Sequence, residues 1–204
     1  MQSWIGGFAF CNEKEISKCY AKDIIEEKSS GDYVALAGFV ENNLDKIKYC
    51  YADSEIISNS SFARIGGFVQ VSNKNISSSY ATGKIIAKTA RLIGGFISYS
   101  ANGNTISDSF AAMEISYESV VNLGAFGGET LDGAWYEKCH YNADCAIMQN
   151  GVAVDYTETN ANISPLRANT LYSAETLFDS LFWNKDVWVV DGINPPKLLW
   201  ETVL

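Results

Sequence analysis

The sequence is poor in groups that many functions require. It has one histidine, His140, and three arginines, Arg64, Arg91 and Arg167, and its formal charge is −9 over 204 residues. That balance argues against a nucleic-acid partner, which needs a basic surface to displace counterions from phosphates. It argues equally against attachment to an anionic membrane through charge. No apolar run approaches the ~20 residues of a membrane helix, so no membrane insertion is expected. The opening MQSWIGGFAF has no basic segment followed by a long apolar one, so no secretion signal is visible. Five cysteines leave at least one thiol without an intramolecular partner.

Hydrophobic residues make up 47% of the chain, a folded composition. Their arrangement is periodic. IGGFAF begins at Ile5, LAGFVE at Leu36, IGGFVQ at Ile65, IGGFIS at Ile93 and LGAFGG at Leu123, in steps of 31, 29, 28 and 30 residues. A second element keeps pace: ISKCYA from Ile16, IKYCYA from Ile47, ISSSYA from Ile76 and ISDSFA from Ile106. The fourth row carries an extra pair of residues, which fits the turn sequence Asn102-Gly103-Asn104. A third position, Ile25, Ile56, Ile85 and Ile115, follows each aromatic at a constant offset.

The repeated segments are short, rich in Ile, Val, Phe, Tyr, Ser and Thr, and separated by Asn, Gly, Ser and Lys, which is strand and turn chemistry. No row carries a sustained helical period. A propeller blade needs a longer repeat, so the spacing predicts one turn of a β-solenoid per row. Stacking would then build two aromatic ladders, Phe8, Phe39, Phe68, Phe96, Phe126 and Tyr20, Tyr51, Tyr80, Phe110. An alanine ladder, Ala21, Ala52, Ala81, Ala111, lies beside the second. If the alanines point inward, simple alternation puts the tyrosines outside, whereas a corner between them would not.

These rows resemble the GLUG motif, a short repeat of bacterial surface and secreted proteins that include large adhesins and IgA-cleaving metallopeptidases. Row three matches best, with IGGFV at Ile65 and SSSYATGKI at Ser77; row five is degenerate. The C-terminal FWNKDVWVVDGINPPKLLW is similar to a segment that closes such arrays. The resemblance implies an all-β, right-handed parallel β-helix of about five rungs, with no catalytic activity in the repeats. It implies an extracellular or cell-surface location. The expected organisation is residues 1–149 as solenoid repeats and 150–204 as a C-terminal capping region containing a short helix. Ser173 is its expected N-cap, and Trp183, Trp188 and Trp200 are expected to cover the last rung. Repeat one begins almost at the N-terminus without a cap, so the chain reads as the C-terminal part of a longer protein.

Candidate chemistry is sparse. His140 lies in KCHYNADC, but its spacing from Cys139 and Cys145 is not that of common zinc sites; His-Glu-x-x-His does not occur. Cys19 and Cys50 precede the tyrosine in adjacent rows. They read as a disulfide between rungs or a ladder of small buried thiols. Asp23, Glu26, Glu27, Asp53, Glu55 and Glu114 lie near the third strand, and only Glu55 and Glu114 share an offset. That pattern reads as a solvated face. No catalytic, cofactor or metal residue is assigned, and no cofactor is expected. The sequence reads as a non-enzymatic surface module, adhesive or stalk-like, with a host protein or glycan as partner. The alternatives are a carbohydrate-active β-helix enzyme, a lyase or hydrolase, and a purely structural spacer.

Overall fold

A computed structural model describes residues 2–28, 33–101, 103–131 and 133–203. Asn102 of the expected turn lies outside them; Gly103 beside it has φ +75°. The rows form a β-solenoid. Rung one comprises Ser3–Gly6, Ala9–Asn12, Ile16–Ser17 and Tyr20–Glu27, and rung two Tyr33–Ala37, Val40–Asn43, Ile47–Lys48 and Tyr51–Ser58. Rungs three to five repeat the pattern. In rungs three and four the last strand runs on into the next rung, as Tyr80–Gly94 and Phe110–Gly124. Equivalent strands pair in parallel across rungs, giving one 11-stranded and two 5-stranded sheets. The register is the one read from the rows: Ile5 pairs with Leu36, Leu36 with Ile65, Ile65 with Ile93 and Ile93 with Leu123.

The first aromatic ladder fills the interior. Phe8, Phe39, Phe68, Phe96 and Phe126 stack with ring centroids 4.7 to 4.9 Å apart, and the last four are fully buried. The corner preceding them explains the second glycine of the pair, the one directly before the phenylalanine in rows one to four. A side chain at Gly67 would strike the Gly95 carbonyl oxygen in the next rung, and one at Gly38 the Gly67 oxygen. Close stacking of this corner therefore needs a residue without Cβ. The fifth row, which no further Gly-Phe row follows, carries Ala125 there.

A second corner was not anticipated. Lys18, Tyr49, Ser78, Asp108 and Lys138 all have φ between 46° and 56°, the left-handed region, at a cost of roughly 1–2 kcal/mol each. The next residue offsets that cost. Ser79 Oγ donates to Ser77 O at 2.9 Å and accepts from Cys50 N at 3.2 Å. Ser109 Oγ repeats both contacts with Ser107 O and Ser79 N. Cys19, Cys50 and Cys139 point their thiols at the carbonyls of Ser17, Lys48 and Glu137.

The fifth rung is less degenerate than its letters. Trp135–Glu137 pairs with Thr105–Ser107, so Tyr136 stands over Ile106. His140 stands over Phe110 and Tyr141 over Ala111. The larger side chains close the interior: Tyr136 meets Phe126 edge-on, and Tyr141 meets Tyr156. Residues 152–166 cover this end. Tyr156 Oη donates to Leu123 O, Glu158 Oε2 accepts from Phe126 N, and Ile163–Leu166 pairs with Cys139–Asn142.

Of the three tryptophans, Trp183 meets the last rung, at His140 on its outer side, whereas Trp188 and Trp200 pack on lower rungs. Ala21, Ala52, Ala81 and Ala111 belong to the interior cluster, so alternation turns the tyrosine ladder outward. Residues 167–203 fold back along that outer side as a strap. Trp183 packs on Phe110 and His140, Trp188 on Tyr80 and Phe110, and Trp200 on Tyr20 and Tyr51. The strap thus descends from rung five to rung one. It carries short helical turns at Ala168–Leu171, Glu175–Ser180 and Leu199–Val203, the second starting one residue later than expected. Ser173 Oγ still accepts from Thr176 N, at 3.4 Å, and Leu177 is buried. Trp188–Val189 and Lys197–Leu198 form a hairpin across Pro195-Pro196. Asp191 accepts hydrogen bonds from Ile193 and Asn194 in its turn, which hold its carboxyl down at about 2.

Candidate functional site

The expected ladder residues are divided between two environments. The ladder from Phe8 to Phe126 lies inside. Tyr20, Tyr51, Tyr80 and Phe110 lie outside the solenoid wall, at ring spacings of 4.8 to 5.1 Å, with His140 next over Phe110. The strap buries all but Tyr20. Tyr80 Oη donates to both oxygens of Glu201, at 3.0 and 2.9 Å, and Trp200 Nε1 donates to Tyr49 O. Burial first, and then the Glu201 charge, push the Tyr80 phenol far above its usual range.

His140 is 3% exposed, and neither ring nitrogen makes a hydrogen bond of good geometry, the Ser164 backbone offering only a weak contact. Desolvation lowers its pKa to about 4, with the Ser164 backbone opposing. It is a neutral ring in an aromatic stack, shut off from any substrate by Trp183. All five cysteines are free thiols. Cys139 is the fifth member of the series Cys19, Cys50, Ser79, Ser109. Burial pushes the Cys50 thiol up to about 12, and that of Cys139 higher still. Neither is an activated nucleophile.

The carboxylates form a paired outer face. Glu55, Lys84 and Glu114 stand in register on three successive rungs, with Lys84 Nζ 2.9 Å from Glu55. Lys22 lies 3.8 Å from Asp53, which also accepts from Thr82 Oγ1. Asp23 faces a shallow depression there, its carboxyl raised by burial and steadied by Ser54. Among the described residues no group of His, Cys, Asp and Glu is placed to hold a metal ion.

A different outer surface was not legible in the sequence. Beside the Gly-Phe corner an open groove of about 500 Å³ crosses the rungs. Trp4, Phe10, Tyr33 and Tyr99 line it with aromatic rings. Its polar lining includes Glu41 and Gln70, only 4% and 3% exposed, together with Arg64 and Arg91. Gln70 Nε2 and Arg64 Nε are buried without an acceptor. The Arg64 guanidinium lies 5.4 Å over the Tyr33 ring and that of Arg91 5.9 Å over Phe62. Neither arginine forms an ion pair among the described residues, whereas Arg167 pairs with Asp144 at 3.0 Å. Desolvation alone pushes the Glu41 carboxyl up to about 7. Several of these positions do recur, Phe10, Glu41 and Gln70 five residues after their row starts and Tyr99 and Glu129 six after, but the residue type changes from row to row, so no repeated type marks them.

No family model matches the chain, and no curated protein matches it. A solved structure from Bacteroides ovatus, described as a "putative immunoglobulin A1 protease", is similar at TM-score 0.60 and 16% identity over 98% of this chain. The present chain spans 65% of the length of that one. At such identity the likeness is one of fold alone.

Proposed function

We propose that this chain is a non-catalytic binding module of a bacterial surface or secreted protein. The observation that carries the reading is the placement of the groups that catalysis would need. The one imidazole is sealed between Phe110 and Trp183. Glu55 and Asp53 on the outer face are engaged by Lys84 and Lys22. What the exterior offers is a stiff surface: rungs locked by stacked rings, with a strap fastened along one side. Such a scaffold presents side chains at fixed intervals and loses little freedom on binding. Presentation to a host protein or glycan is the use that suits it, within a longer chain.

The test is incubation with polygalacturonate, alginate and intact immunoglobulin A1, following chain length by chromatography. All three should emerge uncut. Cleavage of either polysaccharide, abolished by Asp23→Asn, would replace this reading with the carbohydrate-active enzyme. Saturable retention of a host protein or glycan separates a binding module from an inert spacer, which would retain neither.

A further inference from the structure

The groove beside the Gly-Phe corner supplies what the binding reading lacks, a face and a ligand. Two buried donors in it, Gln70 Nε2 and Arg64 Nε, meet no acceptor. Buried polar groups are ordinarily satisfied, so such atoms mark a place completed from outside. Two of the three arginines of a chain with charge −9 line it, beside Glu41 and Glu129, and neither forms an ion pair among the described residues. Above this polar lining stand Trp4 and Phe10, 45% and 56% exposed on the rung that ends every sheet.

We propose that this groove binds an oligosaccharide, with sugar rings lying on Trp4, Phe10, Tyr33 and Tyr99 and their oxygens accepting hydrogen bonds from Gln70 and Arg64. The inference rests on the binding-module reading above. Aromatic walls with a few fixed polar groups suit a ligand whose ring faces are apolar and whose rim carries oxygen. The groove runs across the rungs, from Trp4 and Phe10 on rung one to Glu129 on rung five. Rungs advance by about 4.8 Å, close to one pyranose unit along an extended chain, so each rung meets roughly one sugar. An extended peptide fits less well. The strands of rungs two to four are paired on both sides, so strand addition could use only the rung-one edge at Ser3–Gly6 and Ala9–Asn12 and not the length of the groove.

The experiment screens the intact chain against an array of neutral and uronate-containing oligosaccharides. Bound species are then titrated by tryptophan fluorescence. Trp4→Ala and Gln70→Leu should each weaken binding at least tenfold with circular dichroism unchanged. Trp135→Ala, an exposed ring outside the groove, should leave it intact. Affinity should rise with each added sugar until the groove is filled. A preference for uronates that disappears in Arg64→Gln would mark a carboxylate as the acceptor; equal binding of neutral chains would mark hydroxyls. No retained glycan at millimolar concentration overturns the proposal, as does binding that survives both groove variants. The latter leaves the module reading standing, whereas turnover of a bound glycan removes that reading itself.

Discussion

At the scale of single residues, two buried groups make opposite demands on pH. His140 has its pKa lowered to about 4, so the folded chain resists protonation that the unfolded chain accepts near 6.5. Stability from this source is fully present above the unfolded value. It falls as pH drops towards 4, by about 3 kcal/mol in total. Glu41 is raised to about 7 from 4.5, so its burial is free of cost below 4.5 and is penalised increasingly as pH rises through 7. Between these limits the two slopes oppose each other. His140→Phe extends the stack over Phe110 and removes two buried, poorly satisfied ring nitrogens. It should raise the melting temperature by about 2–4 °C at neutral pH for about 1 kcal/mol gained. It should gain more at pH 4.5, leaving a profile that declines from acid to neutral. An unchanged pH profile in thermal scans would show that His140 is not the neutral, dry ring described. Glycines separate in the same way. Gly67→Ala drives a Cβ into the Gly95 carbonyl and should cost several kcal/mol, whereas Gly103→Ala meets open space and should cost about 1 kcal/mol for its positive φ. Urea midpoints compare the two.

At the scale of elements, the strap is the part whose position was hidden. The rows fixed the strands, their register and both ladders, because stacking forces equivalent residues to meet. Alternation from the inward alanines puts Tyr51 and Tyr80 outside, and large rings outside a wall need cover. Nothing local in FWNKDVWVVDGINPPKLLW says that it will supply that cover along the side, since the contacts join residues as far apart as Trp200 and Tyr49. Row five was obscured for a related reason: its end position admits Tyr136, His140 and Tyr141 where interior rows hold smaller or different residues. The strap's energetics are concentrated. Trp188 is fully buried against Tyr80 and Phe110. Trp188→Ala should cost about 3–5 kcal/mol, and Glu201→Gln, which weakens the Tyr80 contact, about 1–2 kcal/mol. Limited proteolysis of Trp188→Ala should cut between residues 167 and 203 while the rungs persist. Simultaneous loss of both would show that strap and solenoid are one cooperative unit.

At the scale of the whole molecule, the two ends differ. Rung five is closed by Glu158, Tyr156 and Ile163–Leu166. Rung one is the outer edge of every parallel sheet of the solenoid, and Phe8 is 47% exposed where Phe39 above it is fully buried. Stability in a stacked array is nearly a sum of neighbour terms. Amides of Ala9–Asn12 and Tyr20–Glu27 should therefore exchange first, and those of Val69–Ser72 and Ile97–Ser100 last, in native-state hydrogen exchange. A flat profile would mean that rung one unfolds only with the rest.

The strap also acts as a gauge of copy number. Trp183, Trp188 and Trp200 grip the outer ladder at successive heights, so a duplicated rung between Tyr20 and His140 would displace the lower grips by about 4.8 Å. Open repeat arrays gain and lose units readily by recombination, because one more unit costs nothing at its neighbours. Here such an event inside the gripped interval would leave Trp200 facing the wrong ring. Lengthening by duplication is thereby confined to the side of rung one that the strap does not reach.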